Sequence, residues 1–399
     1  MSPVAPVGIE TECLGAVEEV DRWQWTVAAE TAATTVDIDT SIDSFIRRYG
    51  RRDDHGRPGS ACGVAILVSH AAGAWRLGTD VGPPSPVAVP DIVLIAYRHT
   101  TPGPVTAESH TQDQDPGVRV GEWSRSWSTF RHERAIAEVI DNIRSGEVYV
   151  LNVVGHWQAD WAGSMYTAAE RVASIEGARW GGALFGPATD SGRPEWFVAS
   201  GSPECFVRVT GREIRTYPIK GTAPATPAGR ERLLGSVKER AEHTMVVDLL
   251  RNDMSQVCEP GSVDVERLFY LRRWGALWQA ESAIVGRLRS GSVLSDVIGA
   301  LCPPGSVTGT PKPRAAEVIA HLEPVGRGPA MGAMGFAASP SDVRLGLSIR
   351  TIAGDDSRLH LWAGGGITWR SIAAEEVAEA TAKAEGVRSA LRAADDTPG

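Results

Sequence analysis

The stretch SPECFVRVTGREIRTYPIKGT, residues 202–222, reads as a strand, a tight turn and a returning strand. Cys205 to Val209 is β-prone, Gly211 supplies the turn, and Ile214 to Ile219 comes back. Hairpins of this kind, with long connections between them, place the chain in the α+β class rather than in a regular βαβ order. Lys220 ends the returning run, and Glu204 stands sixteen residues before it. Facing a closed pocket, Lys220 is a candidate nucleophile; on an open strand end it is a solubilising charge.

The pattern extends outward from this hairpin. Ile136, Val139, Ile140 and Ile143 recur at helical spacing and stop at Gly146. Val148 to Val154 reads as a strand and Met165 to Ile175 as a helix. Trp196 to Ala199 is a short strand, and the periodicity of Glu231 to Leu250 predicts one long helix. A further helix starts near Pro313 and runs to Leu322. Gly332 to Ala338 and Leu345 to Thr351 predict strands joined by a turn at Pro340 to Asp342, and a last helix covers Ala373 to Leu391. Residues 1–120 differ: β-prone runs at Val64–Val68 and Ile92–Ala96 are separated by Pro/Gly breaks at Gly82–Pro90 and Thr101–Val105. The expected organisation is a divergent β-rich portion, 1–120, packed as one globular unit with a catalytic region, 121–395.

The chain has 399 residues, 42% of them hydrophobic, which is enough for a large core or for two. Its formal net charge is -9, so a nucleic-acid partner is not expected. Five widely spaced cysteines, Cys13, Cys62, Cys205, Cys258 and Cys302, form no CxxC pair and argue against a disulfide framework or structural zinc. There is no apolar run of membrane-spanning length and no basic start followed by an apolar core, so no membrane partner is expected and the cytoplasm is the expected compartment. No GxGxxG fingerprint follows a strand, and no phosphate loop of the GxxxxGK[ST] type occurs.

Three features could hold an anion or a metal. Glu376, Glu379 and Lys383 share one face of the last helix, and Glu239 and Glu242 share a face of the earlier one. Each set reads as a solvated surface or as carboxylates for Mg²⁺. The loop Pro304 to Lys312 precedes a helix, and its N–H groups with Lys312 suit an anion. Gly364-Gly365-Gly366 is either a simple turn or a place of close backbone approach, and Arg350 ends an apolar strand where it could fork onto a carboxylate.

Taken together, SPECF (202–206), PIKGT (218–222), ERAEHTMVVDLLRND (239–253), PPGSVTGTPKPRAAEVI (303–319), IRT (349–351), GGGI (364–367) and EEVAEATAKAE (375–385) resemble the chorismate-utilising enzymes, in family order. The resemblance implies a large α/β sandwich around two orthogonal antiparallel sheets, with a Mg²⁺-containing cleft. It implies Glu242 and Glu379 as metal-facing carboxylates with Glu376 nearby. Thr222, Gln279, Thr308, Gly309, Arg350, Gly364, Gly365 and Lys383 fall on substrate-side positions, and Glu204 on the general acid at the C4 hydroxyl.

Within the family, PIKGT resembles the aminodeoxychorismate synthase large component, in which the lysine attacks C2 of chorismate and ammonia then enters at C4. That implies a precursor of 4-aminobenzoate and folate as product. Relatives that add water carry a lysine base where this chain has Val150, which cannot activate water. Two positions depart from the usual pattern: Gln279 replaces a histidine and Ala330 a tyrosine. No LLES-like tryptophan-binding motif and no GxCxGxQ-like glutaminase motif is present, so ammonia is expected from solution or from a separate glutamine amidotransferase subunit. The alternatives are anthranilate synthase component I, an isochorismate or salicylate synthase, and a non-catalytic member of the family.

Overall fold

The structure is a computed structural model that describes residues 17–27, 37–51, 57–100, 117–190 and 194–392. Cys13 and the break at Thr101–Val105 lie outside the described residues. The chain opens with β1 (Val17–Trp25), α1 (Ile38–Tyr49), β2 (Ala61–Val68), α2 (His70–Arg76) and β3 (Ile92–His99). Then come β4 (Val118–Val120), β5 (Ser124–Arg125), α3 (Thr129–Arg144), β6 (Val150–Gly163), α4 (Met165–Ala173), β7 (Gly182–Phe185) and β8 (Phe197–Ser200). The middle holds β9 (Cys205–Thr210), β10 (Glu213–Tyr217), β11 (Ile219–Pro224), α5 (Pro227–Gly235), α6 (Val237–Ser255), β12 (Asp264–Trp274) and β13 (Leu277–Arg287). The last part is α7 (Leu294–Leu301), a 3₁₀ turn at Gly305–Val307, β14 (Gly309–Thr310), α8 (Lys312–Leu322), β15 (Ala333–Ser339), β16 (Asp342–Leu347), β17 (Thr351–Gly354), β18 (Arg358–Ile367) and α9 (Ala373–Arg392).

Two antiparallel sheets form, as the α+β reading expects. One runs β1-β3-β2-β15-β16-β9-β10-β13-β11, with β12 also on β13. The other runs β14-β6-β18-β17-β8-β7, with β4 and β5 on β6. The largest apolar core gathers residues of both, including Ile66, Leu94, Val207 and Leu345 from the first sheet and Val154, Val198 and Trp362 from the second. Strand alternation decides what each face does. In β6, Val154 joins that large core. Leu151 and Val153 point the other way, against α3 and α8. Val150 and Asn152 therefore share the face of Val154.

Local chemistry explains where the elements start and stop. Asp37, Ser69, Ser128, Ser164, Thr226 and Ser236 each accept a backbone N–H from the first turn of the helix that follows. The cap at Ser236 corrects the expectation of one helix over 231–250. Ser236 is extended (φ -73°, ψ 105°), so α5 ends and α6 begins there. The returning strand also divides: Pro218 has no N–H to donate, and the chain steps from β10 to β11. Lys220 therefore lies inside β11, opposite Ala280 of β13.

The strand predicted over 345–351 is two strands in two sheets. Arg350 has φ +49°, which turns the chain out of β16 in the first sheet and into β17 in the second. Gly364 to Gly366 is no turn but part of β18, paired with Val154 to Asn152 of β6. Among the described residues, no helix is long and apolar enough to cross a membrane.

A buried ion pair braces the junction of β6, α8 and the loop before β14. Glu323 accepts from Arg327 Nη2 at 2.7 Å and from Nε at 2.8 Å. The same guanidinium donates to Val307 O (2.7 Å) and Asn152 O (2.8 Å), and Glu323 also accepts from Val154 N (2.9 Å). Removing one partner strands a charge in the core. Arg327→Leu is expected to cost about 3–5 kcal/mol in urea unfolding, and the double replacement Arg327→Leu/Glu323→Leu less than that. A single variant as stable as the parent would contradict this role.

Candidate active site

A cleft opens where the inter-sheet face of β6 meets β11, α6 and the loop before β14. Lys220 reaches in from β11, Glu242 and Val246 from α6, Ser306, Thr308 and Gly309 from the loop, and Val150 and Asn152 from β6. Its floor is Gly366 of β18. A Cβ there would stand 3.9 Å from Lys220 Nζ and 3.7 Å from Val150 Cγ2. Gly309 is equally constrained: its φ is +146°, and a Cβ would lie 2.4 Å from Val150 O.

Lys220 is half-buried and makes no ion pair among the described residues. Its Nζ points at Ser306 O, 3.5 Å away. Glu204 is buried, and its carboxyl accepts from the Ser306 hydroxyl and from the Ile219 N–H. Ser306 thus touches both groups, with its carbonyl toward the lysine and its hydroxyl on the acid. Burial pushes the Glu204 carboxyl up to about 7, and the Lys220 charge and the two hydrogen bonds pull against that rise without cancelling it. An acid of this kind is still half protonated near neutrality.

Two more cleft groups are held by their surroundings. Thr308 Oγ1 lies 3.3 Å from Nε2 of His70, a buried α2 residue, and Thr308 O accepts from Asn152 N at 2.8 Å. Burial, then the nearby Arg327 charge, hold His70 well below its ordinary value, so the imidazole is neutral. Asn152 is 7% exposed, and its Oδ1 has no hydrogen-bond partner among the described residues.

The acidic face of α9 sits across β18 from Lys220. A Cβ on Gly365 would be 3.3 Å from Glu376 Oε2, 3.7 Å from Lys383 Nζ and 3.9 Å from Glu379 Oε1. Glu379 and Lys383 form an ion pair of 2.7 Å, and Lys383 Nζ also donates to Gly364 O at 2.9 Å. Both partners are about half exposed, so the pair contributes roughly 0–1 kcal/mol. Among the described residues, no three His, Cys, Asp or Glu side chains gather into a ready metal cage. Two carboxylates converging on bare glycine backbone do fit a hard cation that takes its remaining oxygens from substrate and water.

Arg350 stands at the corner between the sheets, half-buried, with its carbonyl accepting from Gly201 N at 3.0 Å. Its guanidinium makes no ion pair among the described residues, and burial lowers its proton affinity. Thr222 and Gln279 form the ladder pair one step beyond Lys220 and Ala280 and do not line the cleft. By alternation Gln279 shares the face of Glu281, which binds Tyr270 and Arg272.

The anion site expected at Lys312 is corrected. Its ammonium is buried against Asp253 of α6 at 2.8 Å and donates to Ala300 O and Leu301 O at the end of α7, both at 3.2 Å. Opposite charge and a helix C-terminus already satisfy it.

A family model described as chorismate binding enzyme matches residues 92–389. The chain belongs to the chorismate-binding enzyme family. Anthranilate synthase component 1 of Streptomyces coelicolor is 39% identical over 204 residues, covering 50% of this chain and 40% of that protein. Aminodeoxychorismate synthase component 1 of Salmonella typhimurium is 33% identical over 251 residues, covering 61% of this chain and 54% of the relative. The chain thus spans less than two thirds of the length of either relative. Anthranilate synthase component I of Streptococcus pneumoniae shares the fold, with a TM-score of 0.75 at 22% identity over 93% of this chain and 91% of its own.

Against this family background, Ser306 and Asn152 in the cleft, and His70 behind Thr308, are the groups that sequence reasoning missed. Ser306 was inside a quoted loop motif, and Asn152 was a lone polar residue in an apolar strand, a signal in itself. His70 has no such signal, because its neighbour Thr308 is far along the chain.

The raised Glu204 value fixes a sign. The folded state holds this proton more tightly than the unfolded chain, whose carboxyl has its ordinary value of 4.5. The resulting stability is complete below that value and is lost as pH rises through about 7. Glu204→Gln is therefore expected to gain thermal stability relative to the parent as pH rises from about 5 to about 8. A melting-temperature difference that is flat across that range would refute the assignment.

Proposed function

We propose that this protein aminates chorismate at C4, using ammonia from a separate glutamine amidotransferase subunit or from solution, to give 4-amino-4-deoxychorismate. The observation that carries the reading is Lys220: an amine without an ion pair among the described residues, inside the cleft, sharing Ser306 with a carboxyl that holds its proton near neutrality.

The chemistry proceeds in two displacements. Lys220 Nζ, as the neutral amine, bonds to C2, the ring double bonds shift, and the C4–O bond breaks. The Glu204 proton leaves with the hydroxyl as water. Ammonia then bonds to C4, the double bonds shift back, and the C2–Nζ bond breaks to return the lysine as a neutral amine. The new C4 ammonium gives its surplus proton to the Glu204 carboxylate, which resets the acid.

The remaining residues bind and orient. Arg350 offers a guanidinium to a substrate carboxylate, and the backbone at Thr308, Gly309, Gly364 and Gly365 allows close approach. Thr222 and Gln279, one ladder step beyond Lys220, are placed on the substrate side by the family resemblance alone. Glu376 and Glu379 would hold Mg²⁺, and Lys383 balances their charge; bound there, the ion would neutralise a ring carboxylate. Glu242 lines the Lys220 side of the cleft and is not gathered with them among the described residues. A cytoplasmic location fits the buried free thiols of Cys62, Cys205, Cys258 and Cys302. The product serves as a precursor of 4-aminobenzoate and folate.

The second reading is anthranilate synthesis, amination at C2 with loss of pyruvate, favoured by the names of several relatives. Lys220 competes for C2 in that reading. Addition of water finds no base at Val150. Purified protein given chorismate, Mg²⁺ and ammonium is expected to make 4-amino-4-deoxychorismate by NMR and mass, and Lys220→Ala none above background. Anthranilate or isochorismate as the sole product, or an unimpaired Lys220→Ala enzyme, would overturn the proposal.

A further inference from the structure

Three side chains of the cleft already have partners. Lys220 Nζ has Ser306 O, the Ser306 hydroxyl has Glu204, and Thr308 Oγ1 lies against His70 Nε2. The Asn152 amide is different: it lines the cleft, its residue is more than nine-tenths buried, and among the described residues nothing donates to its buried Oδ1. A buried acceptor left unpaired costs about 1–3 kcal/mol, so it is matched by a donor that arrives with the reactants.

Two placements identify that donor. Asn152 and Val150 share the inter-sheet face of β6, and Val150 offers only carbon. Asn152 is also the ladder partner of Gly366, the bare residue beneath Lys220 Nζ. A reactant near Oδ1 is therefore close to the lysine. Of the reactants, the carboxylates of chorismate only accept hydrogen bonds, and its C4 hydroxyl leaves with the Glu204 proton. Ammonia carries three N–H donors and must keep its lone pair free to attack.

We propose that Asn152 Oδ1 accepts an N–H of the attacking ammonia and so positions the nucleophile, leaving its lone pair directed at the ring. This rests on the amination reading above. A neutral amide suits the task, because a carboxylate in its place would favour ammonium, which has no lone pair to give. The backbone of Asn152 is held separately, its carbonyl by Arg327 and its N–H by Thr308 O, so changing the side chain leaves both bonds in place.

The test is steady-state kinetics of the purified chain with chorismate and ammonium chloride. Asn152→Ala is expected to raise the KM for ammonium about ten-fold, the loss of one hydrogen bond, with the KM for chorismate unchanged. Asn152→Asp, which keeps the shape and the acceptor, is expected to shift the ammonia-dependent rate profile to higher pH. Melting temperatures establish that both variants are folded; should Asn152→Ala fail to fold, the profile of Asn152→Asp decides alone. An increase in the chorismate KM with the ammonium KM unchanged overturns the proposal, as does an unshifted profile in Asn152→Asp. Products are identified in the same reactions. Anthranilate from the parent defeats the C4 assignment but leaves the ammonium comparison valid, so the two failures are distinct.

Discussion

The Arg327–Glu323 pair is the constraint from which the cleft takes its shape. It is buried, bidentate and shared: Val154 N, Val307 O and Asn152 O all end on it. Two ions in an apolar interior are tolerated when every remaining hydrogen-bonding group is used, and here the backbone of β6 and of the cleft loop uses them. The loop that carries Ser306, Thr308 and Gly309 is thereby fixed against the strand that carries Val150 and Asn152. Precise placement in this protein comes from a charge network behind the cleft, rather than from the groups in it.

Charge within the cleft is arranged differently. Several polar groups in or behind the cleft are neutral or lightly partnered: Glu204 retains a proton near pH 7, His70 behind Thr308 is neutral, and Lys220 and Arg350 have no carboxylate partner among the described residues. The strong pairs, Arg327–Glu323 and Lys312–Asp253, are kept outside it. That separation lets the scaffold be rigid while the reactive groups remain available. Ser306 is where the two regions meet, because one residue addresses both the acid and the amine.

Much of the architecture was legible in the sequence. The helical repeat of Ile136, Val139 and Ile140 produced α3, and the apolar runs at Val64 and Ile92 produced central strands. What failed did so for physical reasons. Helical periodicity continued through Ser236, but a side-chain cap outweighs it. Apolar alternation from Leu345 to Thr351 hid the left-handed Arg350, since the residues on each side are buried in different sheets. Three glycines read as a turn because propensity cannot see that β6 pairs with them. Lys312 looked like a ligand for anions because its partner Asp253 comes from another helix. The acid and the amine were found from their motifs, whereas their shared contact with Ser306 needed the fold.

The order of the first sheet has a consequence for how the chain can be divided. β2 lies between β3 and β15, so residues 61–68 pair with residues 333–337 from the far end of the sequence. The family match begins at residue 92, inside that sheet. A fragment cut there would lose a central strand and leave β3 and β15 with open hydrogen-bonding edges, which are templates for aggregation. The same pairing gives the protein a high contact order, because the sheet closes only after nearly the whole chain has been synthesised. The segment before residue 92 is thus an integral part of the first sheet, because β2 must fit between β3 and β15.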